Sequence, residues 1–231
     1  MAVHTALGEH GMIGDTRSSA LVDRTGTITR LTWHVPGAAA PLHAQDMRPG
    51  GISAIRLEDA QPLAQSYRAG TTILDTYFAG PTGALKLTDF MPVALPGPGN
   101  EDEAGGGIRD GARIVRFLTC TRGTMAGRLI LNLDGEARAP EQLAANQWSV
   151  PLGKITLRLE GALDIAVSGS RLAMPFTLKA GEQAHLALSC DAGSQAEQVR
   201  SVSAARKALA QCDAFWRAEG TPAQGAGSPR A

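Results

Sequence analysis

Aromatic side chains are scarce in this chain, at 4% of 231 residues, and neither sign of charge is in excess. With 22 Lys and Arg against 22 Asp and Glu, the formal net charge is zero, so nothing steers the chain toward nucleic acid or an anionic membrane. No apolar run approaches the roughly 18 residues of a membrane span. The few rings are expected to serve as core or interface anchors.

Cysteine is also rare, and its spacing excludes two classes of site. Cys120, Cys190 and Cys212 are an odd number at wide spacing and form no CxxC pair, which argues against a zinc site or a disulfide framework and for a reducing compartment. The first ten residues, MAVHTALGEH, lack the basic and apolar regions of a secretory signal. We therefore expect a cytoplasmic protein.

The five histidines indicate no metal site, because none has HxH or HExxH spacing. His34 and His43 flank a loop rich in proline and alanine. His185 alternates with Leu186 and Leu188, and we expect it to face solvent. No metal and no cofactor is predicted.

Most of the hydrophobic periodicity has period two, as in the segments GRLILNLD (127–134) and KITLRLE (154–160). Such alternation indicates strands with one buried and one solvated face, and many short strands predict a large antiparallel β-sandwich, mainly β, over residues 1–194. Turn signals include Arg24-Thr25-Gly26 and Thr121-Arg122-Gly123. Further strands are predicted at 18–23, 27–33, 52–57, 64–78, 84–90, 113–121, 171–178 and 183–190.

Three segments depart from this pattern. Residues 96–111, rich in glycine and proline with an acidic cluster, are expected to form a flexible loop. Residues 195–219 change to helical periodicity, with Ser194 as the expected N-cap and an apolar stripe on one face. Residues 220–231 are expected to be a disordered tail. The stripe comprises Val199, Val202, Ala205, Leu209, Cys212 and Trp216.

The opening segment GMIGDTRSSALVDRTGTITRL (11–31) suggests three interpretations. A phosphate loop would need a Gly-Lys-Ser/Thr end or GxGxxG, and neither is present. A nucleophilic Ser18 or Ser19 would need a GxSxG elbow. A strand, turn and strand with the turn at Thr25-Gly26 fits best.

Carboxylate pairs are of interest because glycoside hydrolysis commonly uses two of them. The Glu101, Asp102 and Glu103 group lies in the predicted flexible loop, which cannot hold a catalytic geometry. Asp15 and Asp89 lie at predicted strand ends, where we expect them to accept backbone hydrogen bonds.

Several segments together resemble the N-terminal β-sandwich domain of bacterial glycoside hydrolase family 15, the glucoamylase and trehalase-like group. They are MIGDTRSSALVDRTGTI (12–28), YRAGTTILDTYFAGPTGALKLTDFMPV (67–93), RIVRFLTCTRG (113–123) and ALAQCDAFWRAE (208–219). The resemblance implies that the last segment is the helix leading into the family's catalytic barrel. The family's Phe-Asp loop is absent here, and its tryptophan is displaced to Trp33.

Because the resemblance places the catalytic glutamates in the barrel after this helix, no catalytic residue is assigned to this chain. It implies a non-catalytic domain, structural or docking, in carbohydrate metabolism. The alternatives are a carbohydrate-binding module for α-glucan or trehalose, or one chain of a two-chain hydrolase with a barrel supplied in trans. Sugar or barrel contacts are predicted at Trp33, His34, Tyr77 and Trp148. The predicted docking helix presents Val199, Val202, Leu209, Phe215 and Trp216.

Overall fold

The computed structural model describes residues 9–33, 42–45, 52–93, 113–132, 140–152, 155–161, 163–168, 171–190 and 199–219. The predicted loop at 96–111, the tail at 220–231, His34 and Ser194 lie outside these residues. Within these residues the chain forms fifteen strands and one helix: β1 His10–Gly14, β2 Ser19–Asp23, β3 Ile28–Trp33, β4 Leu42–Gln45, β5 Ser53–Leu57, β6 Gln61–Tyr67, β7 Leu74–Ala79, β8 Gly83–Phe90, β9 Arg113–Asn132, β10 Glu141–Ala144, β11 Gln147–Leu152, β12 Ile155–Glu160, β13 Ala166–Ser168, β14 Arg171–Lys179, β15 Gln183–Cys190 and α1 Val202–Glu219.

The strands form two antiparallel sheets that share β9. Sheet A has the order β1-β2-β3-β5-β9-β14-β13, with β4 also paired to β3, and uses the C-terminal half of β9. Sheet B has the order β6-β7-β8-β9-β15-β12-β11-β10 and uses the N-terminal half of β9. The predicted antiparallel β-sandwich is confirmed.

The main core lies between the sheets and follows from the alternation within each strand. On β9, Ile114, Leu118 and Cys120 are buried in the same cluster as Leu85 and Leu87 of β8. The inner face of sheet A adds residues such as Ile13, Val22, Leu31 and Leu172 to this cluster. Burying these side chains from both sheets supplies most of the driving force for folding.

Two predicted boundaries are wrong, one because pairing on both sides carries a strand through a local turn signal and one because a turn lies within a predicted strand. The Thr121-Arg122-Gly123 signal lies inside β9, at the point where the strand passes from sheet B to sheet A. Gly123 has φ +65°, and a Cβ placed there would lie 2.0 Å from the Thr82 carbonyl oxygen, so the bend requires glycine. The predicted strand at 64–78 is two strands, β6 and β7, joined by a turn.

The opening segment forms β1, β2 and β3, joined by two turns whose carboxylates accept backbone hydrogen bonds. Asp15 Oδ1 accepts from the amides of Arg17 and Ser18, as predicted for a turn aspartate. In the second turn, Asp23 accepts from the amides of Thr25 and Thr27. The strand–turn–strand interpretation is therefore confirmed, and the serines lie in a turn and a strand.

The edge strands β1 and β6 of the two sheets are joined by one side chain. The Tyr67 hydroxyl accepts from the Met12 amide at 2.6 Å and donates to the Met12 carbonyl at 3.0 Å. This bond pair satisfies both backbone groups of an edge residue that would otherwise be open to pairing with another chain. Within the described residues, no helix is long and apolar enough to cross a membrane.

Candidate functional site

Helix α1 packs on the outer face of sheet B and forms a second, smaller core there. Because Ile114 and Leu118 face the sandwich interior, Val115 and Phe117 between them face outward. Together with Phe90 and Ile73 they meet the buried helix residues Ala205 and Cys212. The outer face of sheet B is therefore covered by the chain's own helix over this region.

The helix begins at Val202, later than the predicted start at residue 195, and Ser201 serves as its N-cap. The Ser201 hydroxyl accepts from the Ala204 amide at 3.1 Å, and the Ser201 carbonyl accepts from the Ala205 amide. This arrangement satisfies a free amide of the first turn. Val199 consequently precedes the helix rather than belonging to it.

A buried polar cluster, which we call the clasp, fixes the segment leading into the helix. Glu160 Oε2 accepts from the Val199 amide at 2.8 Å, and His185 Nε2 lies 2.8 Å from the Val199 carbonyl oxygen. Gln147 donates to Glu160 Oε1 at 3.3 Å and accepts from Arg200 at 3.1 Å. Both backbone groups of Val199 are thus used, which fixes where the helix starts on the sheet.

The prediction that His185 faces solvent is wrong. His185 does lie on the opposite face from Leu186 and Leu188, but its side chain is fully buried because the segment at Val199, which leads into α1, covers this face. Because a carbonyl accepts from Nε2, the proton lies on that nitrogen, and Nδ1 has no hydrogen-bond partner in the described structure. Burial lowers the pKa of His185, although the Val199 hydrogen bond and the Glu160 charge act in the opposite direction.

The apolar stripe faces the chain's own sheet, so most of it is unavailable to a partner. Val199 is only 3% exposed. The other residues of the predicted docking surface are partly buried against the second core between α1 and sheet B, namely Val202, Leu209, Phe215 and Trp216. The Phe215 and Trp216 rings contact each other edge to face, with centroids 5.2 Å apart.

The face of α1 that points away from the sheet is lined by small residues. Ala210, Ala214 and Ala218 are exposed and spaced four residues apart, so they form a ridge along the helix. We call these three residues the alanine ridge. Beside it, Arg217 pairs with Asp213 at 2.8 Å. The docking surface predicted from the sequence is the apolar stripe and does not include this ridge, although the i, i+4 spacing of the three alanines is visible in the sequence.

Two aspartates on neighbouring strands are buried on opposite faces of sheet B. Asp75 faces outward and accepts from Thr88 at 2.5 Å and from Arg68 at 3.2 Å. Asp89 faces the sandwich interior and pairs with Arg116, whose Nε lies 2.9 Å from Asp89 Oδ1. Both carboxylates are engaged by donors of the chain itself, and neither is placed as an exposed base.

The expectation that Asp89 accepts backbone bonds at a turn is wrong, because it lies within β8 and binds a guanidinium. Arg116 also donates to Ser53 Oγ at 2.9 Å and to the Gly26 carbonyl, so it joins both sheets. Burial raises the pKa of Asp89, and the Arg116 charge opposes that effect. The sequence signal for this pair is the position of Arg116, which lies two residues from both Ile114 and Leu118 and therefore shares their buried face.

The residues predicted to contact sugar do not form one platform. Trp33 is 2% exposed within the core, so its ring offers no surface to a ligand. Trp148 is partly buried against the inner core, whereas Tyr77 lies on the outer face of sheet B, between the inward-facing Thr76 and Phe78. His34 lies outside the described residues.

The described residues contain no group of three or more His, Cys, Asp or Glu side chains placed to hold a metal ion. Cys120, Cys190 and Cys212 are not joined in disulfides, and all three are buried. Cys212 donates to the Met91 carbonyl at 3.4 Å, and burial raises the pKa of this thiol to about 11. The three cysteine side chains pack within the sandwich and against its helix.

Comparison with known proteins finds similarity among solved structures alone. No family model matches the sequence, and no curated protein matches it. Among solved structures, a chain named as a kojibiose phosphorylase from the human microbiome is similar with a TM-score of 0.48 and 8% identity. The similarity covers 91% of this chain and 34% of that chain, so this chain spans about a third of the other's length.

Proposed function

We propose that this chain is a non-catalytic β-sandwich domain of a family 15-like glycoside hydrolase assembly in carbohydrate metabolism. Its role is structural: helix α1 docks the sandwich onto a catalytic barrel. The observation that carries the proposal is the arrangement of this helix, which the clasp fixes on sheet B while the alanine ridge stays exposed.

The segment with the most specific family resemblance, residues 67–93, also supports the helix. Within it, Asp89 anchors the strand to Arg116, Phe90 packs under the helix, and the Met91 carbonyl accepts from Cys212. The segment therefore contributes to the position of α1 on the sandwich. A sandwich that holds a helix in this way is suited to present it to a second domain.

The alanine ridge is chemically suited to a helical partner. Small side chains let the partner's ridges pack close to the helix, within the usual interaxial distance of about 8–10 Å. Alanine also loses no side-chain rotamer freedom when it is buried. We therefore expect the barrel to pack a helix against Ala210, Ala214 and Ala218.

Docking can be tested with a purified family 15 barrel domain and this chain by sedimentation velocity. Ala214→Glu would bury a carboxylate in the interface, and we expect it to weaken the complex at least tenfold. Ala64→Glu is the matched control, because Ala64 is also exposed but lies on β6. Absence of a complex with the unaltered chain at tens of micromolar, or equal weakening by both variants, would exclude this docking face.

The non-catalytic part of the proposal has its own test. Incubated alone with trehalose or maltooligosaccharides, the chain should release no glucose. Glucose release that copurifies with the chain and scales with its concentration would contradict the proposal.

A further inference from the structure

On the side of the sandwich away from helix α1, the outer face of sheet A carries a groove of about 390 Å³. It crosses β5, β9 and β14, where these strands run side by side. Three of its lining residues are arginines, namely Arg56, Arg128 and Arg171, and none of the described residues that line it carries a carboxylate. This volume falls within the range of about 300–1,000 Å³ that is typical of small-molecule sites.

The strand register explains why a groove forms there. Arg56 of β5 lies directly opposite Arg128 of β9, and two residues further along β9 Ala54 lies opposite Ile130. Another two residues along, Asn132 lies opposite Arg171 of β14. Short and apolar side chains thus form a floor between long basic side chains at either end.

The charges in this groove lack counterions within the described part of the chain. None of the ion pairs there involves the three arginines. Like charges directly opposite on neighbouring strands are destabilising, so the Arg56 and Arg128 pair costs stability unless an anion neutralises it. A bound anion would remove that cost.

The arginines are partly held in place by the protein. Arg171 Nε donates to Asn132 Oδ1 at 3.2 Å, and Arg56 Nη1 donates to the Ile55 carbonyl at 3.0 Å. A guanidinium has five N–H donors, so each of these bonds leaves several for a ligand. Two neighbouring guanidinium groups match the oxygens of a tetrahedral oxyanion, which they bind in a bidentate manner.

We propose that this groove is a binding site for a small phosphate monoester. Arg56 and Arg128 bind the phosphoryl oxygens, and Arg171 adds a third positive charge from the opposite end. The carbon part of the ester lies over Ala54 and Ile130. The site lies on a different sheet face from the docking helix, so it does not depend on the proposed function.

Isothermal titration calorimetry at constant ionic strength tests the proposal with three probes. Glucose 6-phosphate should bind, and glucose, which lacks the dianion, should give no heat. Inorganic phosphate tests the contribution of the carbon part of the ester. Weaker binding of inorganic phosphate than of the ester would support the proposal, and equal binding would overturn the monoester assignment in favour of a site for the free anion. No heat with either phosphate compound at about 10 mM would overturn the proposal.

Variants locate the binding on the groove. Arg128→Gln and Arg56→Gln should each weaken glucose 6-phosphate binding about tenfold, because each removes a charge-assisted hydrogen bond. Arg24→Gln removes the same charge from the exposed turn before β3 and is the matched control. Equal weakening by Arg24→Gln would mean non-specific attraction and would also overturn the proposal.

Thermal unfolding shows that the variants remain folded and gives a second readout. Without ligand, Arg128→Gln should melt at the same temperature as the unaltered chain or higher, because the like-charge pair is gone. Glucose 6-phosphate should raise the melting temperature of the unaltered chain and leave that of the variant nearly unchanged. A ligand-induced rise of the same size in both would place the ester elsewhere.

Discussion

Replacing Arg116 with methionine would leave the Asp89 carboxylate in the sandwich interior without its counterion. Both side chains have 0% exposure, and two contacts join them, at 2.9 and 3.2 Å. The same substitution removes the donors to Ser53 Oγ and to the Gly26 carbonyl. The free energy of unfolding should therefore fall substantially at neutral pH.

Removing one partner of a buried ion pair typically costs about 3–5 kcal/mol. A chain of this size has a stability of about 5–15 kcal/mol, so Arg116→Met removes a large part of it. The corresponding decrease in melting temperature is roughly 6–20 °C. The double variant Asp89→Leu with Arg116→Met removes the uncompensated charge and leaves mainly the orphaned Gly26 carbonyl, at about 1–3 kcal/mol. The double variant should therefore be more stable than the single one.

Urea unfolding followed by circular dichroism would measure both variants at pH 7 and near pH 4.5. Burial raises the pKa of Asp89, and without Arg116 nothing opposes that effect. A carboxyl whose folded pKa exceeds its unfolded pKa stabilises the fold at low pH and loses that contribution as pH rises through the folded value. The cost of Arg116→Met should thus shrink on acidification. A cost that is independent of pH, or a double variant no more stable than the single one, would refute this reasoning.

Three further outcomes are expected. Because burial lowers the pKa of His185, the fold should lose stability as pH falls from 7.5 to 5, and His185→Gln should reduce that loss, as measured by urea unfolding at several pH values. Gly123→Ala should destabilise by more than 2 kcal/mol (about the sum of a φ > 0 penalty and a backbone clash), which chemical denaturation would measure and a near-neutral result would contradict. Cys212, with its pKa raised to about 11, should resist a thiol reagent at pH 8 in the native state and react once urea unfolds the chain.

The sequence predicted the sandwich well because alternation is a local property. In strand β12, for example, Leu157 and Leu159 alternate with polar residues, and both are buried in the main core. The same reasoning failed at residues 121–123, where a glycine turn signal lies within a strand that bends between sheets. Local signals show that the chain changes direction there, and pairing with β8 and β14 determines that the strand continues.

The candidate site was predicted less well, because it depends on which outer sheet face helix α1 covers. The stripe of α1 was readable as a packing surface, but the sequence does not show that it packs on the chain's own sheet. The burial of His185 and its bond to Val199 depend on the same packing. The predicted sugar contacts of Trp148 and Tyr77 remain predictions, whereas Trp33 is enclosed in the core.

The class of fold, the inward and outward faces of most strands and the helix near the C-terminus could all be predicted from the sequence, because each follows from periodicity along one segment. Local periodicity does not predict that Arg116 meets Asp89, that Glu160 and His185 bind the same valine, or that three arginines share one groove. These contacts join residues far apart in the chain, and strand order and register, which depend on the packing of the whole core, bring them together.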